Sequence, residues 1–416
     1  MNTELADVPG IAAGLTELYK DLHSHPELSF AEHRTAGIVA TRLTALGYEV
    51  QTGIGGTGVV GVLRRGEGRT VLLRADMDGL PVLEATGLDY ASTARSTDRD
   101  GRDVPVMHAC GHDMHVACLL GAADALVRRA DAWSGTLVVL FQPAEEQGAG
   151  ALAMVADGLY DRVPKPDVVL GQHVAPVAAG LVGVHAGAAF AAADSFDVRL
   201  FGQGGHGSRP ETTTDPIVMA AATVMRLQTV VAREITPSQM AVLTVGQIHS
   251  GTANNIISDE AMLGLSLRSA DESVRTRLKD AVHRVVRAEA QASGTDREPE
   301  ITLKESFPVL RNDAAATARV NVAFRQTFGD SMVVDPGTVS GSEDVGQLAT
   351  AVEAPIVFWL FGGTDPDKYR AAVAAGTIER DIPSNHSAYF APQIRPTLDT
   401  GIAALIVAAL EWLGLK

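Results

Sequence analysis

The sequence predicts an α/β protein: one sheet-based domain split by a smaller inserted unit. Three observations carry this. The run Gly135–Gln142 (Gly-Thr-Leu-Val-Val-Leu-Phe-Gln) is almost wholly apolar, as a central strand covered on both faces must be. Such runs alternate with stretches of helical periodicity, the pattern of an open sheet whose chemistry gathers at strand ends. Beyond residue 190 the order becomes strand-helix-strand-strand-helix-strand, which defines a self-contained ferredoxin-like unit of two layers.

Taken in order, residues 15–47 read as helical with an interruption at Pro26. Strand-like runs follow at 48–52, 58–64 and 70–75. The glycine cluster at 53–58 reads as a β-turn, because it lacks the following helix and the Lys-Ser/Thr ending of a phosphate loop. Helical spacing runs from 113 to 129 and again from 150 to 158, and a buried-looking strand at 167–170 ends at Gly171-Gln172-His173. In the insert, strands are expected at 192–201, 240–248, 260–268 and 300–304, with amphipathic helices at 215–231 and 272–292. Short strands near 332–334 and 355–360 and a closing helix at 396–413 return to the first domain. The expected division is therefore 1–189 and 305–416 as two parts of one catalytic domain, with 190–304 inserted.

Composition narrows the function. The chain has 416 residues and a net charge of −16, which argues against nucleic acid, whose phosphates need clustered Lys and Arg. The first seven residues lack a basic stretch followed by an apolar one, and no apolar run approaches the length of a membrane span, so a cytoplasmic protein without membrane contact is expected. Of the two cysteines, Cys110 and Cys118, only Cys110 has metal-type neighbours; a disulfide is not expected.

The chemistry concentrates at 107–115, Met-His-Ala-Cys-Gly-His-Asp-Met-His, where three histidines, a thiol and a carboxylate fall within nine residues. Each alone is usually a buried cysteine or a solvated histidine; arriving together at a helix entry, they point to a metal. Cys110 and His112 flank a glycine that lets both turn to one point, whereas His108 and His115 read equally as supporting groups or as ordinary polar contacts. Glu145 and Glu146 follow a buried strand through Pro143-Ala144. They read either as a ligand beside a general base, their side chains diverging at the strand end, or as an acidic helix start. His173 sits at a sheet edge, though alone such a histidine is more often structural. Asp76 and Asp78, two apart, point to one side and read either as carboxylates that orient a metal-bound histidine or as a turn-forming acidic loop. His386 in a polar loop, His206 among glycines, Asn255 and Arg268 are weaker signals.

These strings, with Arg74–Pro81 (Arg-Ala-Asp-Met-Asp-Gly-Leu-Pro), Gly204–Pro210 and Asn385–Ser387, together resemble the aminoacylase and carboxypeptidase type of binuclear metallohydrolases, in particular its branch of N-acyl-amino-acid amidohydrolases that includes hippurate and auxin-conjugate hydrolases. The resemblance runs in the same order from about Leu18 to the C-terminal helix. It implies a mixed-sheet α/β/α catalytic domain with the insert as lid and dimerisation domain, hence a homodimer. It implies two divalent ions per subunit, Mn²⁺ or Zn²⁺ foremost and Co²⁺ or Ni²⁺ as alternatives, held by Cys110, His112, Glu146, His173 and His386. Glu145 would be the general base, Asp78 would orient a metal-binding side chain, His206 would stabilise the oxyanion, and Asn255 and Arg268 would contact substrate. Gly79, Ile256-Ile257-Ser258 and Ala388 depart from the usual pattern without removing a ligand.

The expected function is hydrolysis of N-acyl-L-amino acids to a carboxylic acid and a free amino acid. A dipeptidase or carboxypeptidase on the same site is the nearest alternative, and a catalytically silent binding protein on this fold is the alternative of another class.

Overall fold

The computed structural model describes residues 8–413, and the chain divides into two compact units. One comprises the chain up to Ala189, Arg311–Gly337 and the chain from Asp344; the other comprises Phe190–Leu310 and Thr338–Glu343. The N-terminal stretch 1–7, read above for a leader, lies outside the described residues.

The first unit is organised on an eight-stranded mixed sheet in the order Glu49–Ile54, Gly58–Arg65, Gly135–Gln142, Thr70–Asp76, Val168–Ala178, Ile356–Thr364, Val182–Gly183, Val333–Val334. Its centre is parallel: Thr70–Asp76 lies between Gly135–Gln142 and Val168–Ala178, which in turn pairs with Ile356–Thr364. The first two strands join it antiparallel. Leu137, Val138, Val139, Leu140 and Phe141 are all fully buried, the coverage on both faces that parallel strands require. The crossover helix His112–Arg128 is buried nearly all round and packs against the closing helix Ile394–Leu413. That closing helix is long and apolar enough to span a membrane, contrary to the expectation that no segment would be. Leu398, Ile402, Leu405 and Ile406 are buried in the protein core, so it is a core helix.

Several boundaries move for physical reasons. The strand expected to stop at His173 runs on to Ala178, because its pairing with Ile356–Thr364 continues through Phe361–Val174 and Gly362–Ala175. Gly171 does not break it. A Cβ there would stand 2.9 Å from the Phe358 ring, so the glycine serves close packing between neighbouring strands. The N-terminal helical stretch is two helices, Val8–Ser24 and His33–Ala45, with Pro26 in the connecting loop. The helices Ala314–Phe328 and Pro366–Ala375, which sequence periodicity did not single out, are capped by Asp313 and Asp365.

The second unit carries a four-stranded antiparallel sheet ordered Ala241–Ser250, Glu260–Ser269, Ala192–Phe201, Glu300–Phe307, with the helices Pro216–Glu234 and Glu272–Ala292 in one apolar core. Asp215 and Asp271 cap these helices by accepting from backbone N–H groups of their first turns. The last strand extends past 304 to Phe307, and the unit accordingly ends at Leu310.

Candidate metal centre

Gly111 lets two candidate ligands face one point. It adopts φ +84° as the residue before helix His112–Arg128, and a Cβ there would lie 2.4 Å from Val174 Cγ1. Only glycine accepts both that backbone and that contact. A second left-handed residue, Ala144 (φ +48°), turns the chain out of strand Gly135–Gln142 into the short 3₁₀ turn Glu145–Gln147. A third, His386 (φ +69°), lies in the loop that returns from the C-terminal part.

All five expected ligands converge within the first unit. Cys110 Sγ lies 3.4 Å from His173 Nε2, and His386 Nε2 lies 3.4 Å from Glu146 Oε2. His112 Nε2 stands 3.8 Å from both Glu145 Oε2 and Glu146 Oε1. The donor atoms of Cys110, His112 and His173 fall within 4.8 Å of one another, and those of Cys110, Glu146 and His386 do the same. Cys110 is thus common to two triads. Glu145 and Glu146 do not diverge as expected of a strand end; the 3₁₀ turn brings both carboxylates to the same imidazole. The Asn385 amide braces the loops by donating to Cys110 O and Val174 O, each at 3.2 Å.

Buried carboxylates orient these groups. Asp78 Oδ1 bonds His112 Nδ1 at 3.2 Å, and the same carboxylate accepts from the backbone N–H of Glu145 and of Glu146, each at 3.1 Å, and from Ser29 Oγ at 2.6 Å. Asp76 serves a different histidine: His115 Nδ1–H donates to Asp76 Oδ1 at 2.5 Å, while His115 Nε2 accepts from Val174 N–H at 2.8 Å. Both ring nitrogens are engaged, so His115 is a brace beside His173 rather than a ligand. Asp76 is held in turn by the fully buried Arg74, at 2.7 Å, which also reaches Gln142 and Asp344.

The donor set fits a cation. His112 Nε2 and Glu146 Oε1 are buried and find no hydrogen-bond partner among the described residues. Burial pushes the Cys110 thiol well up, and the negative charges of Glu146, Glu145 and Asp76 push it further. Burial likewise lifts Glu146 to about 8. Burial opposes charge on His112, yet Asp76, Asp78 and Glu146 raise it to about 10, which shows how strongly this cluster attracts positive charge. A thiol, imidazoles and carboxylates converge here, and a divalent ion that displaces their protons would supply the positive charge the cluster favours; this donor set suits borderline divalent metals.

His206, Asn255 and Arg268 lie in the second unit. Gly205–His206 pairs with Ile256–Ile257, the His206 ring is exposed and accepts from Ser208 N–H at 3.1 Å, and Asn255 O accepts from Gly207 N–H. Arg268 donates to Ser340 O at 2.9 Å and to Ser342 Oγ at 3.3 Å.

Sequence reading passed over several supporting groups. His23 is buried between Asp113, at 2.6 Å, and Glu84, at 3.1 Å; burial opposes its charge, but the two carboxylates raise it to about 10. Glu32 and Asp344 are also buried carboxylates. A charged residue in a loop reads as solvated, and only its tertiary partners reveal otherwise.

The family model for peptidase family M20/M25/M40 matches residues 72–383. The chain belongs to this family. Among curated M20 relatives, thermostable carboxypeptidase 1 of Saccharolobus solfataricus is 36% identical over 367 residues, covering 87% of this chain and 89% of that protein. Hippurate hydrolase of Campylobacter jejuni is 37% identical over 329 residues, covering 79% and 82%. Among solved structures, an aminohydrolase described as putative from methicillin-resistant Staphylococcus aureus superposes with a TM-score of 0.86 at 29% identity, each chain covered in full. A dinuclear metal binding M20 peptidase of Bacillus subtilis superposes at 0.74 with 26% identity, covering 97% of this chain and 99% of that one. The M20 fold is therefore that of the whole described chain, mixed sheet included.

Proposed function

We propose that this M20 protein hydrolyses the amide bond of N-acyl amino acids, releasing a carboxylic acid and a free amino acid. The observation that carries the reading is the pair of triads meeting at Cys110, with the Glu145 carboxylate at their edge. Two divalent ions would be held by Cys110, His112, Glu146, His173 and His386; the mixed sulfur, nitrogen and oxygen donors suit Zn²⁺ or Mn²⁺, and also Co²⁺ or Ni²⁺. Such ions supply Lewis acidity toward the amide carbonyl and toward an attacking water.

This chain's residues supply the proton path. Glu145 takes a proton from the water as its oxygen adds to the carbonyl carbon, then delivers it to the nitrogen as the C–N bond breaks. Asp78 fixes His112 and the turn bearing Glu145 together, so base and ligands keep one geometry. His206 as an oxyanion donor and Asn255 and Arg268 as substrate contacts belong to the same proposal. So does a homodimer through the second unit. In its support, Ala241–Ser250 is a sheet-edge strand with Val242 and Ile248 exposed, and Ile217, Val218 and Met225 are exposed on the helix packed beside it.

The hippurate hydrolase and carboxypeptidase relatives point to two substrate classes that share a free carboxylate next to the cleaved amide. Release of amino acid from an acyl-amino-acid panel and from C-terminally free peptides, measured on metal-loaded protein, separates them. A higher kcat/KM for the acyl-amino acids is expected; preference for the peptides would overturn the reading.

A further inference from the structure

We infer that Glu32, far from the ligands in sequence, is the positioning residue that holds the turn carrying Glu145 and Glu146. Ala144, Glu145 and Glu146 present three consecutive backbone N–H groups, and two buried carboxylates take all three. Asp78 accepts from Glu145 and Glu146, while Glu32 Oε1 accepts from Ala144 N–H at 2.8 Å. Glu32 Oε1 also accepts from Phe30 N–H at 2.9 Å, and the Thr57 hydroxyl donates to Glu32 Oε2. The side chain is fully buried.

Ala144 is where such a grip matters. Its φ of +48° places a residue with a Cβ in the left-handed region, a strained conformation that persists only where surrounding contacts fix it. Relaxation of that one residue would rotate the Glu145–Gln147 turn that follows and carry both carboxylates away from His112. The loop bearing Glu32 is itself locked to the site: Ser29 donates to Asp78, and Gly79 N–H donates to Glu27 O at 2.7 Å. Glu32 touches neither the candidate ligands nor the reacting atoms, so its action runs through the backbone of Ala144.

The inference rests on Glu145 as base and Glu146 as ligand, and the experiment separates the two claims. Glu32→Ala, Glu32→Gln, Thr57→Val and Glu145→Gln are compared in metal-loaded, full-length protein, with kcat, KM, metal stoichiometry and Tm measured for each. Glu32→Ala should lower kcat roughly 10–100-fold with a much smaller change in KM, because displacing a catalytic group by about 1 Å costs on that order. Glu32→Gln should recover most of the rate, since its amide oxygen still accepts from Ala144 and its NH₂ meets Thr57. If Glu32→Ala does not fold, Thr57→Val, which removes one leg of the brace, should still show a kcat loss that exceeds its KM change. Unchanged kcat in folded Glu32→Ala, or in Thr57→Val if that is the only folded variant, overturns the inference, and so does a Glu32→Gln as impaired as Glu32→Ala. A fully active Glu145→Gln would instead overturn the assignment of the base.

Discussion

The Asp78 carboxylate bonds His112 Nδ1 at 3.2 Å while it holds the N–H groups of Glu145 and Glu146, so one buried acid ties a candidate ligand to the turn that bears the proposed base. Asp78→Ala frees the imidazole to rotate and leaves two N–H groups unpaired. We expect metal affinity to fall roughly 10–100-fold. Competition titration with a chelator of known affinity checks this.

Glu145→Gln keeps the shape of the turn and removes the proton acceptor. Metal content should match the parent while kcat drops roughly 10²–10⁴-fold. Elemental analysis beside steady-state kinetics tests both halves.

Metal counts should also separate the ligands. Cys110 enters both triads, whereas His386 enters only the one with Glu146. Cys110→Ala is expected to lose both ions and His386→Ala mainly one, while Cys118→Ala, in the apolar core, retains the parental content. Equal losses in the Cys110 and His386 variants would contradict the greater weight given to Cys110, which belongs to both groups of donors.

Gly111→Ala places a methyl group 2.4 Å from Val174 Cγ1 at a left-handed backbone. The conformation alone costs about 1–3 kcal/mol. A lowered Tm together with lost metal is expected, because the same residue sets the angle between Cys110 and His112.

The His23 cluster predicts a pH dependence of stability. Its folded value is about 10 against the ordinary 6.5, raised by Asp113 and Glu84 over the opposing effect of burial. The two carboxylates are correspondingly held low, Glu84 by His23 and Thr86 and Asp113 by His108 and His23, each against burial. A raised value means the stabilisation is complete below about pH 6.5 and is lost as pH climbs toward 10. His23→Gln should be less stable at pH 6, with the gap narrowing by pH 10; thermal melts across that range provide the measurement.

Much of this centre was legible in the sequence because chemistry and geometry coincide locally there. Cys110 and His112 straddle a glycine, and Glu145–Glu146 end an apolar strand, so residue type and neighbourhood carried the same message. What periodicity could not show was tertiary. His115 read equally as a supporting group or an ordinary polar contact, and only the tertiary partners Val174 N–H and Asp76, which occupy both its nitrogens, make it a supporting group. The strand expected to end at Gly171-Gln172-His173 instead continues, and Gly171 within it makes room for Phe358. Glu32 gave no signal at all, since nothing near it in sequence indicates that it meets Ala144, 112 positions away.

The brace from Asn385 to Cys110 O joins segments 275 positions apart. At ordinary synthesis rates of about 5–20 residues per second, the nascent chain presents its thiol and first imidazoles on the order of tens of seconds before the last donor leaves the ribosome. The candidate donors Cys110 and His112 are thus made well before His386, and the loop around Cys110 can close only after that later segment has emerged.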